Sequence, residues 1–212
     1  MRRADREKAF WEKVAPHYDR AVTGIFGRPM PRVLELTAEG VAGADRALEV
    51  AAGTGVITAV VAPRVGRLIA TDYTDGMLAR LRTRVAETGL TNVECAAADI
   101  YALPYPAASF DLVVAGNVLH LVPDLPGALA ALRRVLRPGG TLVAPTYCHA
   151  ETLPAALVSR VLVSIVGQPV HHRFTARSLR EAIEEAGLRM RRSETVPGLI
   201  PVAYIEAVLG PR

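Results

Sequence analysis

The chain has 212 residues, half of them hydrophobic and 22% charged, with a net charge of +4. That length suits one domain around one core, 1–212, and the apolar content excludes a mostly disordered chain. The positive excess is nearly all arginine, since Lys8 and Lys13 are the only lysines, and no basic stripe is interleaved with aromatics, which argues against a nucleic-acid partner. No apolar run reaches the roughly 18 residues of a membrane span, so no integral membrane segment is expected. Arg2 and Arg3 lead into charged residues, and Cys95 and Cys148 have no spacing motif, so the expectation is a cytoplasmic protein with free thiols.

Taken in order, residues 6–20 predict a helix with Phe10, Trp11 and Val14 on one face, broken by Ala15-Pro16. Residues 24–31 read as a loop and 31–37 as the start of a second helix, so that 1–40 forms a helical cap. Residues 47–50 read as a buried strand that runs into a turn at Gly53 and Gly55, with a helix from about residue 56. Such a unit aims backbone N–H groups and a helix start at one end of a sheet, where polar ligands bind. A second strand, 67–71, delivers Asp72 nineteen residues after Gly53. A carboxylate there is suited to both hydroxyls of a ribose, in a dinucleotide or in S-adenosylmethionine. The dinucleotide fingerprint requires a third glycine where Thr58 stands. Glu49, at the end of the first strand, suits a cationic group such as a methionine amine.

A helix over 77–88 follows, stopped by Gly89, and then a strand over 93–97 that delivers Asp99. A turn at 103–106 precedes a strand over 110–115, whose exit carries Gly116, Asn117 and His120. An amphipathic helix over 126–136 ends at Arg137-Pro138-Gly139-Gly140, ahead of a strand over 141–146. Residues 152–166 form a very apolar helix and 167–174 a loop, with Thr175 as the N-cap of a helix closed by Gly187. Residues 190–196 and 201–208 read as a closing hairpin. The sum is an α/β fold: a Rossmann-like seven-stranded sheet, mostly parallel with an antiparallel C-terminal strand, and helices on both faces.

Five motifs together carry a resemblance. Glu49-Val50-Ala51-Ala52-Gly53-Thr54-Gly55, Thr71-Asp72-Tyr73-Thr74-Asp75-Gly76-Met77-Leu78, Ala98-Asp99-Ile100, Phe110-Asp111-Leu112-Val113-Val114-Ala115 and Val135-Leu136-Arg137-Pro138-Gly139-Gly140 resemble, in order, those of class I S-adenosylmethionine-dependent methyltransferases. The flavour is that of the ubiquinone/menaquinone-biosynthesis-like small-molecule group. The resemblance implies S-adenosylmethionine as cofactor. It implies contacts from Tyr18, Glu49, Ala51, Gly53, Gly55, Asp72, Tyr73, Met77 and Asn117. Asp99 is then expected to accept from the adenine amine while Ile100 covers the ring. The implied reaction is methyl transfer to a small-molecule acceptor, possible classes being hydrophobic, lipid-like or specialised metabolites of a bacterium. The alternative is a methyltransferase fold turned to a non-methylating reaction or binding role. Ala115-Gly116-Asn117-Val118 stands where base N-methyltransferases carry Asn/Asp-Pro-Pro-aromatic, which again argues against nucleic acid.

If the acceptor needs a base, His120 is the best-placed candidate and His149 the second. Residues 147–174, with His171 and His172, form the expected lid insert over the acceptor. Cys148, His149, His171 and His172 lack usual ligand spacing, so no metal site is expected.

Overall fold

The structure, a computed structural model, describes residues 3–19, 27–167 and 169–211. Parts of the expected first helix (residue 20), of the 24–31 loop and of the 167–174 loop (residue 168) lie outside the described residues. Helix α1 (Arg3–Val14) passes into a 3-10 turn, Ala15–His17, with Pro16 at its start. Helix α2 (Met30–Gly40) leads to β1 (Arg46–Glu49), α3 (Thr58–Val61), β2 (Arg67–Asp72), α4 (Asp75–Glu87) and β3 (Val93–Ala97). Strand β4 (Phe110–Val114), α5 (Leu125–Val135), β5 (Leu136–Val143), β6 (Thr146–Tyr147) and α6 (Leu153–Val166) follow. Helix α7 (Ala176–Glu185) and the hairpin β7 (Leu188–Val196) and β8 (Val202–Leu209) close the chain.

The spatial order is β3-β2-β1-β4-β5-β8, and β7 pairs with β8. The first four pairings are parallel, whereas β5, β6 and β7 each meet β8 antiparallel. Strand β7 occupies one edge of β8, so β5 and the two-residue β6 share the other, as one lane interrupted at Ala144-Pro145. Pro145 has no N–H for the ladder, and its carbonyl is taken by the Asn117 amide at 2.7 Å. Among the described residues, eight strand segments therefore make the expected seven lanes, and only β8 runs against the rest.

Alternation along the strands divides the core. Leu48, Val50 and Val113 face α5 and α7 through Leu129, Leu132, Leu179 and Ile183. Ala47, Leu112 and Val114 face α2, α3 and α4 through Leu36, Val61, Leu78 and Leu81. Two expected boundaries are corrected. Leu136 is already extended, at φ −70° and ψ 136°, and pairs with Phe110, so β5 starts there and absorbs the Pro138-Gly139-Gly140 kink as an irregularity. The helix after the glycine turn is only four residues long, because Pro63 turns its end into a 3-10 segment, Ala62–Arg64. The Thr175 N-cap stands: its hydroxyl accepts the Ser178 amide in a capping box. No helix among the described residues is long and apolar enough to cross a membrane.

Candidate active site

Strand β1 stops where Ala51, Gly53 and Gly55 take positive φ, at 50°, 58° and 83°. The turn hangs from both neighbouring strands, since the Val50 amide donates to the Val114 carbonyl at 2.9 Å and the Ala52 amide to the Thr71 carbonyl at 2.8 Å. The two glycines have different reasons to be glycine. A Cβ on Gly53 would meet nothing within 4 Å, and Gly53 borders a cavity. A Cβ on Gly55 would lie 2.7 Å from Leu81 Cδ1, so this glycine lets α4 close on the turn.

Asp72 ends β2 almost fully buried, and its carboxylate ties the turn to the strand. Oδ2 accepts the Gly53 amide at 2.9 Å, while Oδ1 accepts both the Thr74 amide at 3.0 Å and the Thr74 hydroxyl at 2.9 Å. Burial raises its pKa, and the hydrogen bonds from Thr74 and Gly53 pull the other way. At the tip of β3, Asp99 Oδ1 accepts the Tyr101 amide at 3.0 Å.

The cavity between these strand ends has a volume of about 260 Å³. Of the residues expected at the cofactor, Tyr18, Ala51, Gly53, Asp72, Tyr73, Met77, Asp99, Ile100 and Asn117 all line it. Gly55 and Glu49 do not. Glu49 shares its face of β1 with Ala47, so it points at α3 and not into the cavity. Its Oε2 accepts the Thr58 hydroxyl at 2.6 Å, and burial pushes its pKa up to about 8. A residue one position along a strand faces the opposite way, which is why the first motif's acid lies beneath the turn. Asn117 adopts φ 52°, and its buried Oδ1 has no hydrogen-bond partner.

The N-terminal cap closes one side. Both oxygens of Glu12 cap α4, accepting the Asp75 and Gly76 amides at 2.8 Å each. Asp19 accepts the Thr54 hydroxyl and an Arg84 N–H, each at 2.5 Å, and Arg84 also donates to the Thr54 carbonyl at 2.6 Å. These contacts bring Glu7, Trp11 and Tyr18 to the cavity wall. Burial, with Asp72 and Asp19 nearby, pushes the Tyr18 phenol up to about 12. Glu7, Trp11 and Tyr101 line the cavity without having been singled out from sequence, because no local pattern reports contacts this distant along the chain.

His120 and His149 are not in the cavity wall. They are buried side by side behind it, with ring centroids 5.0 Å apart, and the Tyr147 ring lies 6.0 Å from His120. The His171 and His172 amides both donate to the His120 carbonyl, at 2.9 and 3.1 Å, which fixes the expected lid loop over the exit of β4. His171 Nε2 meets Glu7 Oε1 at 2.9 Å, tying that loop to α1. Among the described residues no group of three His, Cys, Asp or Glu side chains is arranged to hold a metal ion.

A family model described as a methyltransferase domain matches residues 48–144. A ubiquinone/menaquinone biosynthesis C-methyltransferase from Teredinibacter turnerae is 35% identical over 147 residues, covering 66% of this chain and 59% of that one. A demethylmenaquinone methyltransferase from Renibacterium salmoninarum is 31% identical over 190 residues, covering 84% of this chain and 78% of that one. The chain belongs to the class I S-adenosylmethionine-dependent methyltransferases. A methyltransferase of that class of cofactor from Thermotoga maritima shares the fold at a TM-score of 0.77 and 16% identity, over 95% of this chain and 99% of that one. The chain spans under two thirds of the Teredinibacter relative's length.

The residues present fit the cofactor this methyltransferase family uses. Asp72 and Asp99 are acceptors for hydroxyl and amine hydrogens, and Gly53 leaves its side of the wall without a Cβ. The unpaired Asn117 Oδ1 supplies one more acceptor at the β4 exit.

Proposed function

We propose that the protein transfers a methyl group from S-adenosylmethionine to a small-molecule acceptor bound between α1 and the exit of β4. The observation that carries this reading is the Gly53–Asp72 hydrogen bond at the edge of the cavity, which sets a carboxylate beside a turn with no Cβ on the ligand side. In this reading Asp72 holds the ribose hydroxyls, Asp99 the adenine amine, and Ile100 and Met77 the faces of the ring. Tyr18 and Asn117 serve the methionine portion. Bound S-adenosylmethionine supplies an electrophilic methyl on a sulfonium. The chain's part is to hold the acceptor in line with it and keep water out, so that orientation carries much of the rate. Trp11, Val118, Leu121 and Val122 give the acceptor side an apolar wall. The relatives' names point to ring-bearing, lipid-like acceptors, in keeping with that wall.

Calorimetric titration with S-adenosylmethionine, S-adenosylhomocysteine and NADH tests the reading. Micromolar binding of the two sulfur compounds, about −8 kcal/mol, without binding of NADH is the expected result. Binding of NADH alone overturns it.

A further inference from the structure

Three carboxylates line the cavity, Glu7, Asp72 and Asp99, and among the described residues no Lys, Arg or His side chain does. Asp72 and Asp99 are allotted to the cofactor in the reading above. Glu7 is not, and it comes from α1, outside the five motifs. Trp11, one helical turn further along α1, also lines the cavity, so the two side chains leave the same face of the helix. Phe10 and Tyr18 hold the indole in T-shaped contacts, with ring centroids at 5.0 and 6.2 Å. Burial raises the pKa of the Tyr73 phenol, and Asp72, Glu7 and Asp99 add to the shift, so the three charges act on one place. Tyr73 stays neutral there and gives them no counter-charge.

Glu7 faces a second cavity as well. An open space of about 270 Å³ between α1 and the loop after α6 is lined by Glu7 with Arg6, Phe10, Gly167 and Pro169. The inner cavity, at about 260 Å³, is smaller than the roughly 300–1,000 Å³ usual for one ligand. An acceptor beside the cofactor therefore needs the outer space, and Glu7 stands between the two. Its Oε1 meets His171 Nε2 at 2.9 Å, and its side chain is only 18% exposed. A carboxylate has about four lone-pair sites, so it can hold His171 and a ligand cation together. Arg6 is exposed at the outer cavity, where solvent and salt screen its repulsion.

We propose that Glu7 and Trp11 form a subsite for a cationic amine, so that the acceptor is an amine with an apolar body. The inference rests on the methyl-transfer reading above and narrows its acceptor class. The ammonium meets the Glu7 carboxylate and the indole, a pairing of charge and aromatic surface that suits organic cations. The apolar body lies against Val118, Leu121 and Val122 on the inner side and Phe10 on the outer. An ammonium brings three donors to a wall rich in acceptors, where Asn117 Oδ1 is also buried with no partner. A carboxylate in its place would face three like charges. An alcohol would gain a hydrogen bond without the ion pair. The pairing is recognition alone, and no bond to Glu7 forms or breaks.

The test titrates the full chain at pH 7 with 3-phenylpropylamine, 3-phenylpropan-1-ol and 3-phenylpropionate by calorimetry, with and without S-adenosylhomocysteine. The probes share one apolar body and are, at that pH, a cation, a neutral molecule and an anion. S-adenosylhomocysteine lacks the sulfonium, so no sulfonium charge competes with the probe. The expected result is that the amine binds about tenfold or more tighter than the alcohol, with the propionate weakest. Glu7→Gln is expected to remove that preference and leave the affinity for S-adenosylhomocysteine unchanged. Trp11→Leu is expected to weaken the amine several-fold more than the alcohol. His171→Asn breaks the same tie to the lid loop but keeps the carboxylate, so the preference should survive it. An amine that binds no tighter than the alcohol, or a preference retained in Glu7→Gln or lost in His171→Asn, overturns the proposal. So does a fall in S-adenosylhomocysteine affinity in Glu7→Gln, which would give the carboxylate to the cofactor. Failure of the wild-type chain to bind S-adenosylhomocysteine would instead overturn the methyl-transfer reading, because the amine preference is also read without it.

Discussion

The Gly53 amide donates to Asp72 Oδ2 at 2.9 Å, and this one bond joins the turn after β1 to the tip of β2. Asp72 thus has two tasks, holding the turn and presenting a carboxylate to the cavity. Asp72→Ala is expected to weaken S-adenosylhomocysteine binding by about 10- to 100-fold, the worth of hydrogen bonds to a charged acceptor. Calorimetry reads it, and unchanged affinity would remove Asp72 from the cofactor site.

The two glycines of the turn are expected to fail differently. Gly55→Ala drives a Cβ to 2.7 Å from Leu81 Cδ1 at a φ of 83°, so it should cost about 1–3 kcal/mol of stability. Gly53→Ala meets open space and pays only for its φ of 58°, roughly 1 kcal/mol. Its larger effect should fall on cofactor affinity. Thermal melts and calorimetry on both variants separate the two; equal loss of stability at both positions would contradict the assignment.

Glu12 caps α4 through the Asp75 and Gly76 amides, although 63 residues separate Glu12 from Asp75. Glu12→Ala should cost about 1 kcal/mol and loosen α1 from the cavity. Limited proteolysis would then cut the N-terminal segment faster than in the parent chain. An unchanged cleavage rate would mean that Asp19 and Arg84 hold the cap by themselves.

Glu49 and His149 set opposite limits on the pH range of the unliganded fold. Glu49 is raised from 4.5 to about 8, so its contribution to stability is full below pH 4.5 and is lost as pH rises through 8. Glu49→Gln should therefore melt higher than the parent at pH 8, and the gap should close towards pH 5. His149 is lowered from 6.5 to about 4, so its contribution is full above pH 6.5 and is lost as pH falls through 4. His149→Gln should flatten the acid side of the melting profile. A parallel shift at every pH would show that neither group titrates in this window.

The order of strands and helices was legible because each element carries its own period and its own stop: Gly89 after α4, Thr175 before α7, the glycine turn after β1. Most of the cavity wall was legible for the same reason, since Gly53, Asp72 and Asp99 are fixed by their places at strand ends. The short helix after the turn and the early start of β5 were not. Pro63 and the Pro138-Gly139-Gly140 kink are local signals of a break, but pairing with the neighbouring strand decides which side of it stays regular.

The sequence by itself determined the α/β order, the parallel sheet with its reversed last strand, and the acids at the ends of β2 and β3. Tertiary structure decided which way those acids face and what lies behind them. Glu49 turns to Thr58 because the pleat sends it to the α3 side of the sheet. Glu12 reaches α4, and the His120 and His149 rings meet, only because the fold brings segments far apart in the chain to the same end of the sheet. Periodicity reports the face a residue takes on its own element. It carries no record of which other element will be standing there.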